Sequence, residues 1–301
     1  MVITQAVLDW VERASPGARV AGHSVCPLPG GAVARRVEQV TLLLAGQRDP
    51  LELVRKEAAA WEIAGLLAAQ AARPDTDPTA IPELVAWGDD WLITPLAAGS
   101  PLAWGDAVPA NLFDTLAALH ARYRGGTGLP ASIPRVTGAW WQALCRDWVD
   151  PQLGQHAARH PPETTARARA LIGRAADLPA ASAVLADLPL TLLHGDVHPG
   201  NVVAAADHAV LVDWGSCRIG PAALDLANLV TADSAEAARY ARAWQAHTGQ
   251  SPPVSETGLG YRWAALQIPV QYLPWTIGHR PTRDVEASLT RIEQALAQLS
   301  N

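Results

Sequence analysis

The stretch Leu190-Thr191-Leu192-Leu193-His194-Gly195-Asp196-Val197-His198-Pro199-Gly200-Asn201, continuing to Val210-Leu211-Val212-Asp213-Trp214-Gly215, decides the reading of this chain. It reads as a short apolar strand, a polar loop, a second strand, a tight turn and a third strand. Three side chains suited to phosphoryl transfer fall at its strand ends. Asp196 lies in the loop, Asn201 follows five residues later, and Asp213 ends the apolar run Val210–Val212. A magnesium nucleotide calls for hard oxygen ligands, in practice one or two carboxylates plus phosphate oxygens. An acceptor hydroxyl calls for a carboxylate that orients it and takes its proton.

His194 through Asn201, followed by Val212-Asp213-Trp214-Gly215, resembles the aminoglycoside phosphotransferase and choline kinase superfamily. The later run Gly220-Pro221-Ala222-Ala223-Leu224-Asp225-Leu226-Ala227 is similar to the segment that follows in that family. The resemblance implies an α+β, two-lobed protein-kinase-like fold. A small N-terminal lobe with an antiparallel sheet would occupy residues 1–95, and a larger, mainly helical lobe residues 96–301. It further implies ATP and Mg²⁺ as cofactors and a small-molecule hydroxyl as acceptor. Asp196 would be the catalytic base, Asn201 and Asp213 the metal ligands, and His194 and Asp225 supports of the loop. Trp214 stands where the family more often has Phe, which keeps aromatic bulk beneath the turn.

A competing reading takes His194, Asp196 and His198, which alternate and so share a face of an extended chain, as a zinc ligand set. It leaves Asn201 and Asp213 without a purpose. A protein kinase acting on Ser or Thr is disfavoured, because Asp225 follows Gly215 too soon to leave room for a long activation segment. A nucleotide-binding protein without transferase activity is the other alternative.

The 301 residues can bury a large core, and 49% of them are apolar. A net charge of −6 argues against a nucleic-acid partner. The sequence has no run of about twenty apolar residues, so no membrane span is expected, and no charged leader precedes an apolar run. Cys26, Cys145 and Cys217 are scattered without metal-ligand spacing, which suits a reducing cytoplasm. Oligomeric state is not legible.

Of 23 basic residues all but one are arginine, and the exception is Lys56. It ends the last of three expected strands (19–26, 33–44 and 51–56), ahead of an expected helix over 57–70. By the resemblance, Lys56 contacts nucleotide phosphates and pairs with a helix glutamate. Glu62 is preferred over Glu57, which follows the lysine too closely, and Arg55 takes the lysine's place if the register slips by one. The link Pro27–Gly31 lies where a nucleotide-covering loop would be. Strands at 83–87 and 91–95 lead to a hinge, where Thr94 and Leu96 would meet a base edge.

Helices are expected over 4–13, 108–123, 138–149, 163–176, 234–247 and 284–299, and over 259–278 with a break at Pro269. Trp140, Trp141 and Trp148 suit core packing better than a ligand, and His120 reads as a packed histidine. Asp233, Glu236, Glu256 and Asp284 could favour a cationic acceptor or simply face solvent.

Overall fold

The computed structural model describes residues 3–28, 36–73, 80–205, 208–230, 233–252 and 254–300, and for 254–257 the backbone alone. Pro29–Gly31 of the expected nucleotide-covering loop and the side chain of Glu256 therefore lie outside the described residues. The chain divides into two compact units. The first takes Met1–Arg122, Gly128–Pro134 and His194–Arg218, and the second takes Tyr123–Thr127, Arg135–Leu193 and Ile219–Asn301.

The first unit opens with α1 (Gln5–Ala14), capped by Thr4, whose hydroxyl accepts from the Val7 N–H. Strands β1 (Val20–Pro27), β2 (Val37–Leu44) and β3 (Leu51–Glu57) precede α2 (Ala60–Ala71), and β4 (Ala86–Trp87) and β5 (Trp91–Pro95) follow it. Together the strands form an antiparallel sheet in the order β1-β2-β3-β5-β4. The helix α2 starts later than the sequence pattern predicts because Glu57 still belongs to the sheet, opposite Trp91.

Alternation along the strands sorts the side chains into two faces. Val40, Leu42, Leu44, Leu53 and Ile93 pack against Val7, Trp10 and Val11 of α1. Arg55 belongs to this face: it pairs with the buried Glu38 at 3.1 Å and its guanidinium lies over the Trp91 ring. One residue on, Lys56 must take the other face, alongside Val37 and Leu92. A slip by one would exchange the two cations, so the register itself selects lysine over Arg55.

Short β6 (Ser100–Pro101) and α3 (Ala110–Arg122) complete the N-terminal part of this unit, with His120 fully buried on α3. Strand β6 pairs with Val202–Ala204, which in turn pairs with Ala209–Leu211. These ladders tie Ser100–Pro101 to the loop strands within the first unit.

In the second unit, helices Gly138–Ala143, Pro162–Asp177, Val254–His279 and Thr282–Ser300 surround one core. Between Gly138–Ala143 and Asp150–Gln155 the helix widens into a π-turn over Leu144–Val149. The helix Pro179–Asp187 has no counterpart in the sequence reading; only Ala181 and Leu185 of it are buried, too few to set a period. The expected break at Pro269 does not occur, and the helix runs through Pro269 and Pro274. Trp263, Leu266, Val270, Leu273 and Ile277 are buried on one face of it, and their burial outweighs the roughly 3 kcal/mol that an internal proline costs. Among the described residues no helix is long and apolar enough to cross a membrane.

Trp141 is fully buried, donates from Nε1 to the Ala175 carbonyl at 2.8 Å, and meets Trp263 edge-on at 4.9 Å. It is a core residue, whereas Trp148 is exposed. Trp141→Ala leaves a cavity and removes one of the two hydrogen bonds to the Ala175 carbonyl, and should cost about 3–5 kcal/mol in urea unfolding. A loss under about 1 kcal/mol would contradict this packing role.

Candidate active site

Of the residues expected to form the site, Lys56, Glu62, Thr94, Leu96, His194, Asp196, Asn201 and Asp213 lie in the first unit and Asp225 in the second. The Lys56 Nζ donates to Glu62 Oε1 at 2.8 Å and to Asp213 Oδ1 at 2.5 Å. Glu62 is therefore the helix partner, and Glu57 is held in the sheet. Glu62 is buried, Lys56 is largely covered with 12% of its side chain exposed, and Asp213 is exposed at 43%. Burial disfavours the charged amine, but the attraction of Glu62 and Asp213 outweighs it, and the Lys56 pKa is raised. For Glu62 burial dominates over the pull of Lys56 and its pKa is raised. Burial also opposes ionisation of Asp213, yet Lys56 more than offsets it and the Asp213 pKa is lowered.

Asp213 is the one non-glycine with positive φ among the described residues (φ 62°, ψ 68°). Asp tolerates the left-handed region better than most residues, but at a cost. The conformation turns its carboxylate back toward Lys56 instead of continuing the strand. Gly215 leaves room for the cluster, since a Cβ there would sit 3.3 Å from Asp213 Oδ1 and 3.5 Å from Lys56 Nζ. Trp61, counted from the sequence only as an apolar helix residue, donates from Nε1 to the Gly215 carbonyl at 3.0 Å. It thereby joins the start of α2 to the turn.

His194 is fully buried, with Nε2 2.9 Å from the Val212 carbonyl and Nδ1 accepting from the Asp196 N–H at 3.3 Å. A ring that accepts at Nδ1 and faces a carbonyl at Nε2 carries its proton on Nε2 and is neutral. It ties the Asp196 loop to the strand leading into Asp213. Gly195 (φ +82°) is required here, because a Cβ would meet the Ser216 carbonyl at 2.2 Å.

The Asn201 amide nitrogen donates to the Asp196 carbonyl at 2.9 Å and to Asp196 Oδ2 at 3.3 Å. That fixes the amide with its oxygen directed away from Asp196. Asp196 Oδ1 is buried without a hydrogen-bond partner; the carboxylate therefore has spare acceptor capacity. The His198 Nδ1 accepts from the Gly200 N–H at 3.1 Å, capping the turn Pro199–Asn201. With these nitrogens engaged, His194, Asp196 and His198 do not form the zinc set that their alternation allowed. Among the described residues no group of three or more His, Cys, Asp or Glu could hold a metal ion.

Lys56, Glu62, Thr94, Leu96, Asn201 and Asp213 line one cavity of about 300 Å³, with Val37, Val54, Leu92, Val203 and Val212 supplying apolar walls. The Leu96 N–H is already committed to the Glu52 carbonyl at 2.9 Å. Asp225 belongs to the second unit, where it is fully buried in the short helix Ala223–Leu226.

Lys56→Met should cost about 3 kcal/mol in chemical unfolding near neutral pH, because it strands the buried Glu62 carboxylate. On the acid side the difference from wild type should begin to shrink above the ordinary carboxyl value of about 4.3, because the raised Glu62 pKa lets the stranded carboxyl take a proton there, and it should shrink further below about 3.9 through the lowered Asp213 pKa. On the alkaline side it should shrink only above about 10.4, where the raised Lys56 pKa is reached. Trp61→Phe keeps an aromatic ring, smaller than the indole, and removes the donor to the Gly215 carbonyl, so it should cost about 1 kcal/mol.

A profile of the phosphotransferase enzyme family matches residues 24–256. No curated protein sequence matches the chain. Among solved structures, choline kinase from Cryptosporidium parvum Iowa II is 11% identical, with 99% of this chain and 96% of that one covered and a TM-score of 0.62. A choline/ethanolamine kinase family protein from Mesorhizobium loti is 16% identical, covering 97% and 99%, with a TM-score of 0.52. A thermostable aminoglycoside phosphotransferase APH(4)-Ia in ternary complex with ADP and hygromycin B is 16% identical, covering 98% of each chain, with a TM-score of 0.52. At these identities the likeness establishes the protein-kinase-like fold. With the family match extending over most of its length, the chain belongs to the phosphotransferase enzyme family.

Proposed function

We propose that this phosphotransferase moves the γ-phosphate of ATP to a hydroxyl of a small molecule, with Mg²⁺ as cofactor. The observation that carries the proposal is the Lys56 amine held between Glu62 and Asp213, 157 residues away in sequence. A cation fixed by a helix carboxylate and facing a second carboxylate is what positions phosphate oxygens beside a metal ligand. ADP in the APH(4)-Ia complex supports an adenine nucleotide.

The apolar walls of the cavity suit a base, with Thr94 and Leu96 at its edge. Because the Leu96 N–H is taken by Glu52, Leu96 would contribute its carbonyl or side chain. Asn201 and Asp213 fit a magnesium ion: the Asn201 amide nitrogen is spent on Asp196, which leaves its oxygen as a ligand, and Asp213 offers a partly open carboxylate. Bound there, the ion would neutralise phosphate charge and orient the transferring group. Asp213 would then exchange its bond with Lys56 for the metal, which frees the amine for the nucleotide phosphates. Asp196, whose carboxylate has spare acceptor capacity, orients the acceptor hydroxyl and takes its proton. His194 holds the loop through its neutral ring and moves no proton. Asp225 is assigned a structural part only.

The test is a coupled ADP-release assay with Mg-ATP over aminoglycosides, choline, homoserine, methylthioribose and simple sugars. Asp196→Ala should lower turnover on the accepted compound by about 10²–10⁴-fold, and Asp213→Asn should abolish metal-dependent turnover. Near-normal activity in Asp213→Asn would overturn its role, and absence of nucleotide binding by calorimetry would overturn the proposal as a whole.

A further inference from the structure

We propose that Gly65 and Cys217 are positioning residues for the lysine cluster. The Cys217 side chain fills the gap left by the missing side chain of Gly65, and this contact sets how closely α2 approaches the Asp213 turn, so that Glu62 stays on Lys56. The proposal deepens the phosphotransferase reading and rests on it.

The helix α2 is rich in alanine, with Ala60, Ala64, Ala68, Ala69 and Ala71, yet position 65 is glycine, the poorer helix former. The reason is steric. Gly65 is buried, and a Cβ built on it would overlap the Cys217 Sγ outright and lie 3.0 Å from the Cys217 Cβ. Cys217 is only 1% exposed, so its thiol has no open space to turn into. Its backbone is fixed as well: the Cys217 N–H donates to the Trp214 carbonyl at 2.9 Å, and the Trp214 indole donates to the Leu211 carbonyl at 2.9 Å. A side chain added at position 65 would therefore push α2 away from the turn. By contrast, a Cβ on Gly173, in the helix Pro162–Asp177, would meet nothing within 4 Å.

The contact lies beside the ion cluster. Glu62 precedes Gly65 by three residues and so shares its side of α2. Gly215, two residues before Cys217, would bring a Cβ within 3.5 Å of Glu62 Oε2, and its carbonyl accepts from Trp61 Nε1 at 3.0 Å. Trp61, Glu62 and Gly65 thus meet Gly215 and Cys217 along little more than one turn of helix. The indole bond ties helix to turn, whereas the packed sulfur sets the depth, because close-packed interiors compress little. The bond of 2.8 Å from Lys56 to Glu62 has little slack. A retreat of α2 by about 1 Å would carry it beyond hydrogen-bonding range.

The test is calorimetric binding of Mg-ATP, which needs no acceptor, with the folding of each variant checked by urea unfolding. Gly65→Ala should weaken binding about tenfold. Cys217→Gly, which empties the gap, should weaken it about threefold. The two together move the small side chain across the contact and should bring binding back to within about twofold of wild type. Gly65→Ala added to Glu62→Gln should cost less than about twofold more, because Gly65 acts through Glu62. Gly173→Ala should bind as wild type. Unchanged binding in Gly65→Ala, no recovery in the combined variant, or a full further loss on top of Glu62→Gln would overturn the proposal. If Gly65→Ala alone fails to fold, recovery of folding and binding in the combined variant supports the proposal, and failure to recover overturns it. Wild type that binds no Mg-ATP would overturn the phosphotransferase reading and this proposal with it. Wild type that binds, with Gly65→Ala unaffected, would overturn the proposal alone.

Discussion

A largely covered lysine with two carboxylates within hydrogen-bonding distance is the constraint on which this site depends. Lys56 cannot be left unpaired where it is, and its attraction for Glu62 and Asp213 is strong enough to reverse the effect of burial on its pKa. To meet it, the sheet, α2 and the strand ending at Val212 must each arrive at one point. Glu62 comes from the first turn of α2. Asp213 comes from a turn that leaves its strand by a left-handed step. The ion cluster is therefore a gauge of the tertiary structure. Buried pairs are poor sources of net stability, which fits a cluster whose purpose is position.

Around that cluster the polar groups are arranged so that each bond restricts the next. His194 accepts from the Asp196 N–H and reaches the Val212 carbonyl, and this sets its tautomer and joins the Asp196 loop to the strand leading into Asp213. Asn201 spends its amide nitrogen on Asp196, which aims its oxygen elsewhere. Trp61 fastens the carbonyl of Gly215 to α2. The strain concentrated at Asp213 is retained because these contacts over-determine the turn. The unpartnered oxygen of Asp196 is the exception in an otherwise satisfied loop, and a functional role is the usual reason for such an exception.

The loop residues were legible because their chemistry depends on short fixed spacings, such as the five-residue step from Asp196 to Asn201. The single lysine was legible because compositional bias had removed every other one. Trp61 was not, because it sat in a helix pattern where an apolar residue is expected. The helix Pro179–Asp187 escaped because only Ala181 and Leu185 of it are buried. Pro269 misled in the opposite direction: a local breaker yielded to the burial of Trp263, Leu266, Val270, Leu273 and Ile277.

The sequence by itself determined the run of strands around Lys56 and the catalytic stretch, most of the helices, the identity of the oxygen-bearing groups and the kind of chemistry they suit. These follow from local periodicity, turn residues and side-chain type, all of which act over a few residues. Only the tertiary structure decided that Glu62 and not Glu57 meets Lys56, that Arg55 turns to the opposite face, and that Ser100–Pro101 pairs with the strand after Asn201. Each of these depends on strand register and on pairing between distant segments. Register is set by which face must be buried, and the burial partners, α1 for one face and the loop strands for β6, lie far away in the chain.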